Sequence, residues 1–170
     1  MKMNVMITVD APADAVWTIL GPRYGEISLW CATVYSSEWL DSPIVIEGSP
    51  CKGRHCETIF GPFDETFLEY DAPRRSLYYE AKGPKLPFFV KRLTNRFTVE
   101  ELSSARSRVT MKSTADMTQP FRFLMGGMMK MQMGKGLRGL MEELKHFAET
   151  GEPHPRKMKM MAKARLKVPA

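Results

Sequence analysis

Only three cysteines and three histidines occur in the 170 residues, and that scarcity excludes several kinds of protein. Cys31, Cys51 and Cys56 leave one thiol unpaired under any pairing, so no disulfide framework organises the chain, and free thiols suit a reducing compartment. No apolar run is long enough to span a bilayer, and the amino terminus, MKMNVMITVDAPADAV, lacks the apolar stretch and cleavage site of a secretory leader. The expected location is therefore cytoplasmic. CKGRHC offers two thiols and His55 but no fourth ligand at zinc-finger spacing. MMKMQM supplies thioethers, yet on a helix Met131 projects away from Met129 and Met133, so the sulfurs do not converge as a copper site needs. His55 and Cys56 are sequence neighbours in a strand and point to opposite faces, which rules out a thiol–imidazole pair. No metal and no cofactor is expected. Internal repeats and linkers are also missing.

The composition, 44% hydrophobic and 26% charged, is that of one globular domain. The net charge of +6 is not spread over it. Residues 156–170 hold Arg156, Lys157, Lys159, Lys163, Arg165 and Lys167 without an acid, six of the 25 bases, so the rest of the chain balances nineteen bases against nineteen acids. A neutral body argues against nucleic acid as a partner. The expected organisation is a domain over residues 1–151 and a basic, flexible tail over residues 152–170, its one partner role being weak contact with an anionic membrane.

NVMITVDA alternates as a strand and runs directly into PADAVWTIL, where Ala15, Val16, Ile19 and Leu20 have helical spacing. YGEISLW adds a second short helix after Gly21-Pro22. Period-two patterning then predicts strands near 32–38, 43–47, 53–60, 64–71, 76–82, 89–101 and 106–116, separated by Gly48-Ser49-Pro50, Gly61-Pro62, Ala72-Pro73 and Ser103-Ser104. From Gln119 the period becomes helical, with Met129, Met133, Leu137, Leu140, Leu144, Phe147 and Ala148 on one face, ending at Gly151. Within that helix, residues 123–144 contain six methionines and five glycines. Each interior glycine costs about 1 kcal/mol relative to alanine, so helix propensity does not explain them. They either leave volume beside a cavity, with adaptable methionines, or allow close helix–sheet packing.

The local sequences VDAPADAVWTIL, Trp30 and GRHCETIFGPFDETFLEYDAPRRSLYYEAKG, followed by the long closing helix, resemble the START-like SRPBCC superfamily, in particular its polyketide cyclase/dehydrase-like branch, over residues 3–150. The resemblance implies an α+β helix-grip fold: a curved antiparallel β-sheet wrapped around a long C-terminal α-helix, with two short helices after the first strand. It also implies a deep cavity for lipids, sterols, polyketides or other hydrophobic molecules, in proteins of which some are enzymes and many are carriers or sensors. Glu65 matches an acidic residue that points into that cavity. The matching basic position of the preceding strand holds Cys56, and Arg54, of the same strand parity, is the available substitute. The family's His-Pro pair after the tryptophan is Cys31-Ala32 here, so chemistry needing that histidine is absent.

Strand alternation gives its own inward set. If Glu65 and Phe67 face the helix, the following rows are Leu77, Tyr79 and Ala81; Leu93, Asn95, Phe97 and Val99; and Val109, Met111, Ser113 and Ala115. Glu65, Tyr79, Asn95 and Ser113 are polar exceptions among apolar walls, either satisfied core groups or ligand contacts. The candidate ligand-binding set is Glu65, Phe67, Tyr79, Asn95, Phe97, Met111, Ser113, Met129, Met133, Gly136 and Leu137. The expected function is binding of a hydrophobic small molecule or lipid between sheet and helix, as carrier, sensor or store. The alternatives are a cyclase or dehydratase with Glu65 or Tyr79 as general acid/base, and a membrane-associated or partner-binding module.

Overall fold

The structure, a computed structural model, describes residues 1–40, 43 and 46–165, with side chains at all of these except 122, 125, 164 and 165. Strand β1 (Lys2–Val9) leads into α1 (Ala13–Leu20) and a 3₁₀ segment (Tyr24–Leu29). The strands β2 (Val34–Trp39), β3 (Gly53–Thr58), β4 (Gly61–Asp71), β5 (Ser76–Lys82), β6 (Val90–Ser103) and β7 (Arg106–Met117) follow. Helices α2 (Phe121–Thr150) and α3 (Pro155–Arg165) close the chain. All strand pairs are antiparallel, in the order β1-β7-β6-β5-β4-β3-β2. The strands β2 to β7 form a meander, and β1 closes against β7 because the two short helices carry the chain across.

The second short helix is 3₁₀ rather than α, with Trp39 stacked on Gly25 so closely that a Cβ there would lie 2.7 Å from the indole. The expected strand at 43–47 falls partly on residues 44 and 45, outside the described ones. At its end, Ile46 to Ser49 form a turn, with Ser49 Oγ donating to the Ile46 carbonyl at 2.7 Å. The register of β4 on β5 shifts between Phe67 and Glu69. Such a bulge bends the strand and increases its twist, and it turns Tyr70 to the same side as Phe67, their rings 5.4 Å apart.

The core lies between the concave side of this sheet, α1, the 3₁₀ segment and the second half of α2, where Met141 and Leu144 are fully buried. Helix α2 approaches the sheet at β1 and more weakly at β7. Lys145 Nζ donates to the Thr8 carbonyl at 2.8 Å, and Glu149 accepts the Asp10 amide at 2.7 Å. Gly151, in the left-handed region at φ 73°, ends α2 by donating its amide to Phe147. The first half of α2 is loosely held: Phe123, Leu124, Met128 and Met131 are exposed.

Beyond Gly151 the structure departs from the expectation of a flexible tail. Residues 155–165 form α3, which folds back on α2. Arg156 donates to the Gly139 carbonyl at 3.1 Å and pairs with Glu142 at 2.8 Å and Glu143 at 3.1 Å, while Lys157 is buried and donates to the Val34 carbonyl at 2.6 Å. Reading the bases as solvated missed that Glu142, Glu143 and the Val34 carbonyl at the start of β2 offer them partners. No helix among the described residues is long and apolar enough to cross a membrane.

Candidate functional site

The turn at Thr58 to Gly61 fixes the β3–β4 register, and Arg54 falls directly opposite Glu65. Gly53 is required beside them, because a Cβ there would sit 1.9 Å from the Glu65 carbonyl oxygen. Arg54 Nε donates to Glu65 Oε2 at 2.7 Å, the Tyr24 hydroxyl donates to the same oxygen at 2.8 Å, and an Arg54 Nη donates to the Tyr24 carbonyl. The guanidinium carbon also lies 3.8 Å from the centre of the Tyr24 ring, a cation–π contact strengthened by desolvation. Arg54 therefore takes the basic role that the Cys56 position lacks.

Burial alone would push the Arg54 guanidinium down, but the adjacent Glu65 carboxylate and Tyr24 raise it, so it stays charged. Burial pushes the Tyr24 and Tyr79 phenols well above their usual range, with the Glu65 charge adding to both. At neutral pH both are proton donors. Burial likewise raises the Cys56 thiol to about 12 and the Cys51 thiol to about 11, so neither supplies a thiolate nucleophile at neutral pH. His55, on the outer face, bonds Asp64 at 2.6 Å through Nδ1 and lies 3.3 Å from Glu57.

From this cluster an inward row runs across the sheet in register, Phe67 to Tyr79 to Asn95 to Ser113. All four are buried. Among the described residues Ser113 Oγ is buried without a hydrogen-bond partner, as is Ser107 Oγ near the start of β7. Unsatisfied buried polar groups are uncommon and call for an explanation, such as a strain reservoir, a missing water or a ligand. Phe97 and Met111 pair in the adjacent row and are equally buried. Met129, Met133 and Leu137 are half-buried on α2.

Gly136 is the glycine expected to border the cavity. It is exposed, and a Cβ there would meet nothing within 4 Å, as at Gly126 and Gly127. At Gly134 and Gly139 the nearest atoms are arginine guanidinium groups at 3.6 Å. Close helix–sheet packing is thus not what these five glycines permit.

Residues Ile19, Leu20, Tyr24, Ile27, Trp30, Arg54, Tyr79, Phe97 and Leu140 enclose a cavity of about 10 Å³. That is room for about one water. At its charged end the interior is therefore filled by aromatic rings rather than opening into the expected deep cavity, with Tyr24 4.5 Å from Phe67 and 5.8 Å from Tyr79 between centroids. Sequence reasoning left Arg54 open and passed over Tyr24, Ile27 and Trp30. The tight turn from Thr58 to Gly61 places Arg54 opposite Glu65, earlier than the Gly61-Pro62 break alone marks. Nothing comparable marks residues on a 3₁₀ segment with no fixed period.

A curved antiparallel sheet gripping a C-terminal helix, with a charge pair set into its apolar inner wall, defines an α+β protein of the START-like helix-grip class. The chain belongs to the family described as polyketide cyclase/dehydrase and lipid transport, whose pattern matches residues 1–149. No functionally curated protein matches the sequence. Among solved structures, a START superfamily protein from Mycobacterium smegmatis is similar at TM-score 0.67 and 14% identity, over 86% of this chain and 96% of that one. Norcoclaurine synthase from Thalictrum flavum, in complex with dopamine and hydroxybenzaldehyde, is similar at TM-score 0.66 and 13% identity, over 86% of this chain and 85% of that one. The di-domain ARO/CYC protein BexL of the BE-7585A biosynthetic pathway is similar at TM-score 0.68 and 12% identity, over 86% of this chain and 47% of that one. At these identities the likeness is one of fold.

Proposed function

We propose that the chain binds a hydrophobic small molecule bearing one or two polar groups, held between the inner face of the sheet and the first half of α2. The observation that carries this reading is Ser113 Oγ, buried without a protein partner among the described residues, in one cross-strand row with the buried Tyr79 and Asn95 that begins beside the Arg54–Glu65 pair. Apolar walls supply affinity and a few convergent polar groups supply orientation. The glycine-rich, loosely packed first half of α2 is the segment suited to moving outward for binding. The family description and the similarity to START proteins support a carrier or sensor.

A second reading is a cyclase-type enzyme, favoured by the geometry at Glu65. Its described hydrogen bonds all fall on Oε2, which leaves Oε1 to accept a substrate proton while the neutral Tyr79 phenol donates a hydrogen bond to the developing negative charge. The similarity to norcoclaurine synthase and BexL supports it. Native mass spectrometry of freshly purified protein, followed by extraction of the bound compound, tests the binding reading. A compound is expected, and it should be depleted in Tyr79→Phe, a variant that removes only a hydroxyl. Protein that is always empty, or identical occupancy in the variant, contradicts the proposed anchor. Product formed from the extracted compound by wild type but not by Glu65→Gln, checked by circular dichroism to be folded, selects the enzyme.

A further inference from the structure

The end of the molecule where α2 begins carries a second feature, independent of what the interior binds. The connection between β5 and β6, residues 83–89, is pinned to the start of α2: Phe89 is buried and stacks on Phe121 at 5.1 Å, and the Thr118 amide donates to the Phe89 carbonyl at 2.9 Å. Phe88 packs edge-on against both rings yet is 82% exposed. Next to it, Phe123 is 91% and Leu124 75% exposed, with Met128 and Met131 also outward. Large apolar side chains gathered this way mark an interaction surface rather than scattered surface residues.

Bases outnumber acids around this tip, which Glu80 and Asp116 flank. From residue 82 to 92 the chain carries Lys82, Lys85, Lys91 and Arg92 and no acid; from 117 to 141 it carries Arg122, Lys130, Lys135 and Arg138 and no acid. Lys82 and Arg92 are engaged with Glu80 at 3.3 and 3.2 Å, while Lys85, Lys91, Lys130 and Lys135 are exposed. We propose that this tip is a docking surface for an anionic lipid bilayer, with Phe88, Phe123 and Leu124 inserting at the level of the headgroups and the lysines reaching lipid phosphates and carboxylates. Rings and leucine favour the interface, and each base near an anionic surface adds to the attraction. A second copy of the chain fits less well, because it would bring two basic segments face to face. The surface is also distinct from the C-terminal bases, two of which are held within the protein.

Sedimentation of the full chain with vesicles tests this. Binding is expected to phosphatidylcholine vesicles containing phosphatidylserine, to be weak with phosphatidylcholine alone, and to fall with added salt. Phe88→Ser with Phe123→Ser should weaken it about tenfold or more. Lys159→Glu with Lys163→Glu on α3 should leave it unchanged. Phe123→Trp, at an exposed position, should show blue-shifted emission on binding. The proposal is overturned by no sedimentation with either vesicle, by undiminished binding of the phenylalanine variant, or by loss on changing only α3. A dimer dissociated by Phe123→Ser, without vesicle binding, would make the face a self-contact and equally overturn it.

Discussion

Arg54 is charged, almost wholly enclosed and tied to three acceptors or rings, so the interior around it is committed to that charge. Removing one partner of a buried pair leaves the other uncompensated and typically costs about 3–5 kcal/mol. Arg54→Met should therefore destabilise the protein by about 3 kcal/mol in urea unfolding, at the low end because Glu65 keeps some solvent contact. The double variant Arg54→Met, Glu65→Leu should recover most of that loss. A single variant as stable as wild type would show that the pair does not organise the core. At this scale the sequence was readable in part: alternation alone put Glu65, Tyr79, Asn95 and Ser113 on one face. It left Arg54 undecided because parity states which side a residue faces, whereas pairing depends on register, and register rests on the turn geometry at Gly61.

Among the elements, those whose pattern reports burial were legible. Strands β3 to β7 and α2 follow from periods of two and 3.6 because each has one wet and one dry face. The bulge in β4 and helix α3 do not. A bulge inserts a residue without changing composition, and α3 turns on the burial of one lysine and on one arginine reaching α2, which a count of bases reads as solvation. Truncation after Gly151 removes the Arg156 partner of the buried Glu143 along with Lys157, so it should cost on the order of 2 kcal/mol and lower the melting temperature by several degrees. An unchanged melting temperature would return these residues to the status of a passive tail. In α2, Gly126→Ala, Gly127→Ala and Gly136→Ala meet no neighbours, so each should stabilise by about 0.5–1 kcal/mol. If the soft first half of α2 is what opens, stopped-flow binding of an apolar probe should slow in the triple variant. Faster or unchanged association would mean that access lies elsewhere.

For the whole molecule, the core is shared unevenly along α2. The sheet, α1 and the second half of α2 share one core, whereas the first half of α2 touches little and ends at the aromatic tip. Under the proposed function, a binding interior closed by such a segment opens by moving one helix. The fourteen methionines place reporters on both sides of that boundary and on the surface. The most direct test is methyl NMR of protein labelled at methionine, titrated with 2-naphthol and with lauric acid, each an apolar body with a single polar end. The account predicts shifts at Met111 on the sheet and at Met129 and Met133 on α2, reduced in Tyr79→Phe, with Met6, Met158 and Met161 unmoved. Shifts confined to those three surface methyls, or none with either compound, would contradict it.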